Sequence, residues 1–271
     1  YWVANLSFQT RIQIYTLPAY LLPQAPTLEN YLRAFGLSTA AAFGSVTGNG
    51  LVPQYVAGLQ NSMLVATSVM ILTLLLCIPA GYAFARFSFP ARTAIFFTIL
   101  FSRSLPPIST AVPYYQFYKA AGLLGTIPGL VLVHMTLTVP LTTWVLSGFF
   151  SSLPVELDKQ ARVDGCSRFR LFRSILIPIA APGLAAVAIL AWLTSWNEFV
   201  LGLLLAYING LYTVAPAMAA AVPSVGASSD VELFVAFTSF AMVPSVIAAV
   251  VLQRFMTRLK IVDPLTFRAP G

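Results

Sequence analysis

Leu153–Pro178 reads LPVELDKQARVDGCSRFRLFRSILIP and forms a charged island between two long apolar runs, Ile127–Phe150 and Ile179–Ile208. The island holds Glu156, Asp158, Lys159, Arg162, Asp164, Arg168, Arg170 and Arg173, in a chain with only 15 basic and 8 acidic residues. A spanning helix needs about 20 mostly apolar residues. Each flank is therefore long enough to cross a bilayer, and the island is a loop in water. Three further runs reach the same length: Ser62–Ala85, Thr93–Val112 and Leu233–Leu252. In lipid the backbone must satisfy its own hydrogen bonds, which leaves helices or a closed barrel. These runs lack the two-residue alternation of barrel strands. The sequence predicts an all-α membrane protein, a polytopic helical bundle forming one domain over residues 1–271.

Composition agrees with that reading. The chain is 58% hydrophobic and 8% charged, against roughly 25% charged in a soluble domain. The net charge of +7 is an insertion signal rather than a nucleic-acid patch. Arg86 and Arg92 fall between the first two runs, five basic residues fall in the island, and Arg254, Arg258, Lys260 and Arg268 follow the last run. All of these lie on one side, with Arg11, Arg33 and Lys119 on the other and Arg103 inside a run. The positive-inside rule makes the first side cytoplasmic. Segment 6–57 and loop 209–230 are then external, while the island 153–178 and the tail 253–271 are cytoplasmic.

Cys77 and Cys166 lie at different depths with no C-x-x-C spacing, which disfavours a disulfide or zinc site. His134 stands alone within a run, so a packed or pore-facing imidazole is expected rather than a metal ligand. Tyr1-Trp2-Val3-Ala4-Asn5 has the aromatic character of the interfacial end of an earlier span. Pro18, Pro23 and Pro26 punctuate the next segment, Thr27 is placed to cap a short helix, and Gly36–Gly50 reads as a loop. Pro106-Pro107 breaks the helix ladder within Thr93–Val112. Ionisable groups inside spans usually face partners or a wet cavity. Arg103, Asn197 and Glu198 are therefore candidates for lining a substrate pathway, with Trp192 and Trp196 able to stack on a sugar face. A polar clamp between helices explains the same residues equally well.

In the island, Ser151 and Ser152 are placed to cap a helix through Glu156–Asp164, with its acids early where the helix dipole favours them. Gly165 interrupts it. Ser167 then caps a second short helix whose apolar side comprises Phe169, Phe172, Ile175 and Leu176, while Arg168, Arg170 and Arg173 snorkel outward. Pro178 marks entry to the next span. The product is a helix–Gly–helix elbow. The residues alone leave an ordinary amphipathic loop equally open.

The elbow resembles the EAA loop of ABC importer permeases, in which E-A-A is followed by three residues, glycine, nine residues and I-x-L-P. Ala161 matches the second alanine, and Gly165, Ile175 and Pro178 follow at the family spacing. Lys159, Gln160 and Ile177 depart from it. Thr27–Tyr31 (TLENY), Tyr82–Arg86 (YAFAR), Leu105-Pro106-Pro107, Gly122-Leu123-Leu124 and the WNEF in Ala191–Phe199 occur in the family's order. The chain is similar to the shorter, MalG-like (maltose-type) permease subunits of carbohydrate-uptake ABC importers.

That resemblance implies the type I importer permease fold of about six spans, the first largely missing from this chain. It implies a permease subunit moving an oligosaccharide or disaccharide into the cytoplasm, across the cell membrane of a bacterium or archaeon. Partners implied are a second homologous permease, two ATPase subunits and an extracytoplasmic sugar-binding protein. ATP and Mg would bind the ATPases, because this chain has no nucleotide-binding motif, catalytic triad spacing or metal constellation. Coupling to the ATPase falls to Glu156, Asp158, Lys159, Gln160, Ala161, Arg162, Asp164, Gly165, Ile175 and Pro178. With lysine at 159 where the family has glutamate, Glu156 or Asp158 is left to supply the acidic contact. Loop 209–230 would meet the binding protein through Ala215, Pro216, Ala217 and Met218. Other readings are a permease for a polyol or glycerol phosphate, an ion-coupled secondary transporter, and an intramembrane enzyme.

Overall fold

Each long apolar run forms helix. The computed structural model describes residues 1–37, 48–220 and 231–258. Three short helices, α1 (Trp2–Ser7), α2 (Arg11–Tyr15) and α3 (Glu29–Ala34), precede the long α4 (Gly48–Arg86). Then come α5 (Arg92–Ser102), α6 (Pro107–Ala120), α7 (Ile127–Ser152), α8 (Glu156–Val163) and α9 (Arg168–Leu171). A widened π turn, Phe172–Leu176, joins α9 to α10 (Ile177–Trp196); α11 (Val200–Leu205), α12 (Val214–Ala220) and α13 (Val231–Arg258) complete the order. Among the described residues, four helical stretches are long and apolar enough to cross a membrane: Val52–Arg86, Ile127–Ser152, Arg168–Trp196 and Val231–Arg254. The pair α5 and α6 makes a fifth if it is one bent span.

Three boundaries differ from the apolar runs, each for a local reason. Helix α4 begins at Gly48 and so enters segment 6–57; of the loop expected over 36–50, residues 38–47 lie outside the described residues. Burial carries this extension, since Tyr55 packs with Ala34, Leu233, Ala236 and Phe237, flanked by Val52 and Leu59. The run Thr93–Val112 is not one straight span. Helix α5 ends at Ser102 and α6 opens at Pro107, because Pro106 cannot continue the first ladder and Pro107 opens the next, where a missing N–H costs nothing. The run Ile179–Ile208 is broken after Trp196, and Asn197–Phe199 separate α10 from α11.

The described residues divide into two compact units, the first drawn from Tyr1–Val65, Pro107–Val131 and Trp196–Val246, the second from Ala66–Pro106, Leu132–Ser195 and the helix after Ile247. In the first, the Tyr55 ring stacks on Phe237 at 3.8 Å and its hydroxyl donates to the Phe237 carbonyl at 2.7 Å. In the second, the core gathers Cys77, Tyr82, Leu146, Phe150, Leu171, Leu176, Ala180 and Val187. Gly81 lets α4 and α7 touch there: a Cβ at this position would lie 2.8 Å from the Leu146 Cβ. Two buried polar pairs lie in the same unit, Thr73 with Thr138 at 2.8 Å and His134 Nδ1 with Ser195 at 2.8 Å. His134 is thus a packed imidazole.

Candidate functional site

The elbow lies wholly in the second unit and is built as a clasp. Helix α7 runs through Ser151 and Ser152, so these serines sit in its last turn instead of capping α8; Ser152 bonds back to the Phe149 carbonyl at 2.7 Å. Leu153-Pro154-Val155 makes the corner, and α8 starts at Glu156 with Glu156 and Asp158 in its first turn. Arg86, the last residue of α4, reaches across this corner. Its Nη2 donates to the Leu153 carbonyl at 2.8 Å, and its Nε lies 3.0 Å from Asp158 Oδ2. Both side chains are nearly buried, at 9% and 12% exposure. A charge pair excluded from water is held strongly in one geometry, because breaking it strands a buried charge.

One turn later Ala161 is buried and joins the core with Tyr82, Phe150, Leu171 and Leu176. Tyr82 is the hub, with ring centroids 5.5 Å from Phe87, 5.8 Å from Phe150 and 5.0 Å from Phe172. It thereby links the end of α4, the end of α7 and the π turn.

Helix α8 stops at a Schellman-type cap. Gly165 takes φ +76, and the Cys166 N–H donates to the Ala161 carbonyl at 2.9 Å. A left-handed residue with a six-to-one bond satisfies carbonyls that a helix end otherwise leaves open. A Cβ at Gly165 would meet nothing within 4 Å, so the requirement is on backbone conformation and not on space. Ser167 caps α9 as expected, accepting from the Arg170 N–H at 3.3 Å.

The second limb departs from expectation in two ways. It is continuous with the span, running from Arg168 to Trp196 through the π turn. The Ile177 N–H bonds the Phe172 carbonyl five residues back, and Pro178 follows at once. Proline clashes with the carbonyl four residues before it, and the widened turn accommodates that ring. Its buried side is Leu171 and Leu176, with Phe172 and Ile175 packed beside them. Phe169, expected on that side, is 70% exposed. Arg168 lies over the Phe87 ring at 5.3 Å.

The elbow thus sorts the sequence-predicted residues by face. Asp158 and Ala161 point inward and Ile175 packs against the core, while Glu156, Lys159, Gln160, Asp164, Gly165 and Pro178 are exposed. Arg162 belongs to α8 by its backbone. Asp158 cannot stand in for the family's glutamate at position 159, because it is committed to Arg86; Glu156 is the exposed acid of that turn. Reading the sequence missed Arg86, which looks there like an insertion charge and nothing more. Its signal was a cation at the end of an apolar helix opposite an acid on the inward stripe of α8. Tyr82 and Phe150 were also missed, because aromatic residues in apolar runs look alike.

The pathway candidates are mostly engaged by backbone. Arg103 Nη1 donates to the Leu137 carbonyl at 2.7 Å. Trp196 is buried with its indole N–H on the Ala241 carbonyl at 3.3 Å, so it is packed and presents no face to a sugar. Trp192 is partly buried with its N–H 3.4 Å from the Thr67 hydroxyl. The Glu198 carboxylate accepts from the Leu201 N–H at 2.9 Å and the Gly202 N–H at 2.8 Å. An anion at a helix N-terminus satisfies open donors and opposes the helix dipole, so Glu198 is a clamp on α11. Asn197, beside it, is exposed.

The loop expected to meet a binding protein is folded inward over its first part. The Asn61 amide donates to the Tyr212 carbonyl at 2.8 Å, and the Ser62 hydroxyl accepts from the Val214 N–H at 2.9 Å. These bonds pin the start of α12 to α4. Pro216 and Ala217 are buried as a result, Ala215 is partly so, and Met218 packs against the Tyr55 cluster. None of the four is a free contact surface; Ala219 is the exposed residue of this turn. Residues 221–230 of that loop and 259–271 of the tail lie outside the described residues.

Comparison with known proteins places this arrangement. The chain is 32% identical over 93% of its length to a diacetylchitobiose uptake system permease protein of Streptomyces coelicolor, covering 78% of that protein. It is 31% identical over 80% of its length to a trehalose transport system permease protein of Mycobacterium tuberculosis, covering 73% of it. It is 32% identical over 74% of its length to a sulfoquinovosyl glycerol transport system permease protein of Agrobacterium fabrum, covering 66% of it. The fold superposes on a chain from the crystal structure of a bacterial ABC transporter involved in import of the acidic polysaccharide alginate. That match has a TM-score of 0.74 and 15% identity, over 93% of this chain and 88% of the other. Residues 77–261, which contain the whole elbow, match the binding-protein-dependent transport system inner membrane component. The chain is a multi-pass membrane protein and belongs to that family of inner membrane permeases.

Proposed function

We propose that this chain is a permease subunit of an ATP-driven importer that moves an oligosaccharide or disaccharide into the cytoplasm of a bacterium or archaeon. It works with a second homologous permease, two ATPase subunits that bind ATP and Mg, and an extracytoplasmic sugar-binding protein. The observation that carries this reading is the elbow. Its inner side is locked by the Arg86–Asp158 pair and by Ala161 in the core, while Glu156, Lys159 and Gln160 on α8 and Asp164 at its end stand outward. A preorganised projection loses little conformational freedom on docking. Its second limb is continuous with a span, so displacement of the elbow is transmitted along a helix rather than absorbed in a loop. ATP binding then shifts the permease between states because the closed ATPases favour one of them.

The carbohydrate class is supported by the relatives, whose names specify diacetylchitobiose, trehalose and sulfoquinovosyl glycerol. Asn197, exposed beside Glu198, is assigned to sugar hydroxyls. A polyol or glycerol phosphate offers similar hydroxyl chemistry and is separated by a substrate panel. The ion-coupled alternative loses its main support, since the Glu198 carboxylate is occupied by two backbone donors.

Co-purification tests the reading. Tagged chain co-expressed with its genomic neighbours is expected to bring down an ATPase, and Glu156→Lys with Asp164→Lys on the exposed face is expected to release it. Chain that purifies alone from wild-type membranes, yet still supports uptake, overturns the proposal.

A further inference from the structure

Helix α8 and the residue before it carry a row of side chains that the elbow's own fold does not explain. Val155, Lys159 and Val163 stand at i, i+4 and i+8, so they line up along one face of the helix. Val155 belongs to the same helical register, because the Asp158 and Lys159 N–H groups both donate to its carbonyl, at 3.1 and 3.3 Å. Val155 is 49% exposed and Val163 88%, and Lys159 between them is exposed. The row is about 12 Å long at about 1.5 Å per residue. It is apolar at both ends and has one ammonium at its centre.

The chain supplies no counter-charge to that ammonium. Asp158, next to it, points inward and is held by Arg86 at 3.0 Å. Glu156 lies three residues earlier and Asp164 five residues later, both exposed. Among the described residues no ion pair reaches Lys159. In water an exposed ammonium needs none. A partner that covers both valines also covers what lies between them, and a charge taken out of water without a counter-ion is strongly penalised. A carboxylate is the group that removes the penalty, because its hydrogen bond with an ammonium is charge-assisted, short and strong. The E-A-A pattern has glutamate at this position, so the central charge of the row is the reverse of the pattern's.

We propose that the ATPase surface receiving the elbow carries a carboxylate opposite Lys159, set between apolar contacts for Val155 and Val163. The inference rests on the elbow being the ATPase contact. It makes Lys159 the residue that selects the cognate ATPase. A subunit with a cation at that point is repelled, and one with an apolar group there leaves the ammonium buried and unpaired.

Carbodiimide coupling of the assembled wild-type transporter tests this. The reagent joins an amine to a carboxylate in direct contact and adds no spacer atoms. The expected product, mapped by mass spectrometry after digestion, is an amide between Lys159 Nζ and an aspartate or glutamate of the ATPase. Lys159→Glu changes only an exposed side chain. It is expected to lower ATPase retention on the purified chain roughly tenfold or more at fixed salt, the scale of a close interfacial charge pair. An ATPase that co-purifies with the wild-type chain but yields no amide to Lys159 overturns the inference and leaves the proposed function standing. Retention of the ATPase by Lys159→Glu at the wild-type level overturns it too. Failure of any ATPase to co-purify overturns the proposed function itself, and this inference with it.

Discussion

Asp158 shows how one side chain decides the face an element presents. It is one of two acids in the first turn of α8, and burial against Arg86 removes it from any external contact. Removing one member of such a pair strands the other, at roughly 3–5 kcal/mol for a fully buried case and less with the tenth of surface still open here. Asp158→Ala is expected to lower the melting temperature of the detergent-purified chain sharply. The double substitution Arg86→Met with Asp158→Leu is expected to recover much of the loss; a double variant as unstable as the sum of the singles contradicts the pairing. Gly165 makes the complementary case. Its left-handed φ costs an ordinary residue about 1–2 kcal/mol, so Gly165→Val is expected to uncouple ATP hydrolysis from uptake while Gly165→Asn keeps most of it, measured as sugar transported per ATP hydrolysed. Wild-type coupling in Gly165→Val contradicts a requirement for that turn.

At the scale of elements, α11 depends on a carboxylate outside itself. Loss of a cap costs typically about 1 kcal/mol, so Glu198→Ala is expected to reduce the yield of assembled transporter and leave the sugar affinity of the assembled fraction unchanged. A large rise in KM with normal yield would return Glu198 to the pathway. The contact between α4 and α7 is tighter still. With no room for a Cβ beside Leu146, Gly81→Val is expected to destabilise by about 1–3 kcal/mol, as overpacking does, read as a lower melting temperature; an unchanged one contradicts the close approach. These elements also show what sequence makes legible. The break at Pro106-Pro107, the turn at Gly165 and the Ser167 cap were readable because each rests on local chemistry within four residues. The continuity of the second limb with its span, the inward turn of Pro216 and the long start of α4 were not. They depend on partners far along the chain: Tyr82 with Phe172, Ser62 with Val214, Tyr55 with Phe237.

Across the whole molecule, the membrane character and the family pattern were both visible in the amino-acid string, because long apolar runs and a charged island with fixed glycine and proline spacing leave few other readings. Which polar residues line a pathway was not, since an arginine, a glutamate or an indole within a span answers first to the nearest unsatisfied backbone group, as Arg103, Glu198 and Trp196 each do. The central claim is that this chain turns ATP hydrolysis on partner subunits into sugar movement through the elbow. Uptake of labelled disaccharide by proteoliposomes holding the assembled transporter and its binding protein tests it most directly. Accumulation that requires ATP, persists with ionophores present and disappears in Gly165→Val is the predicted result; accumulation driven by an ion gradient without ATP contradicts the account.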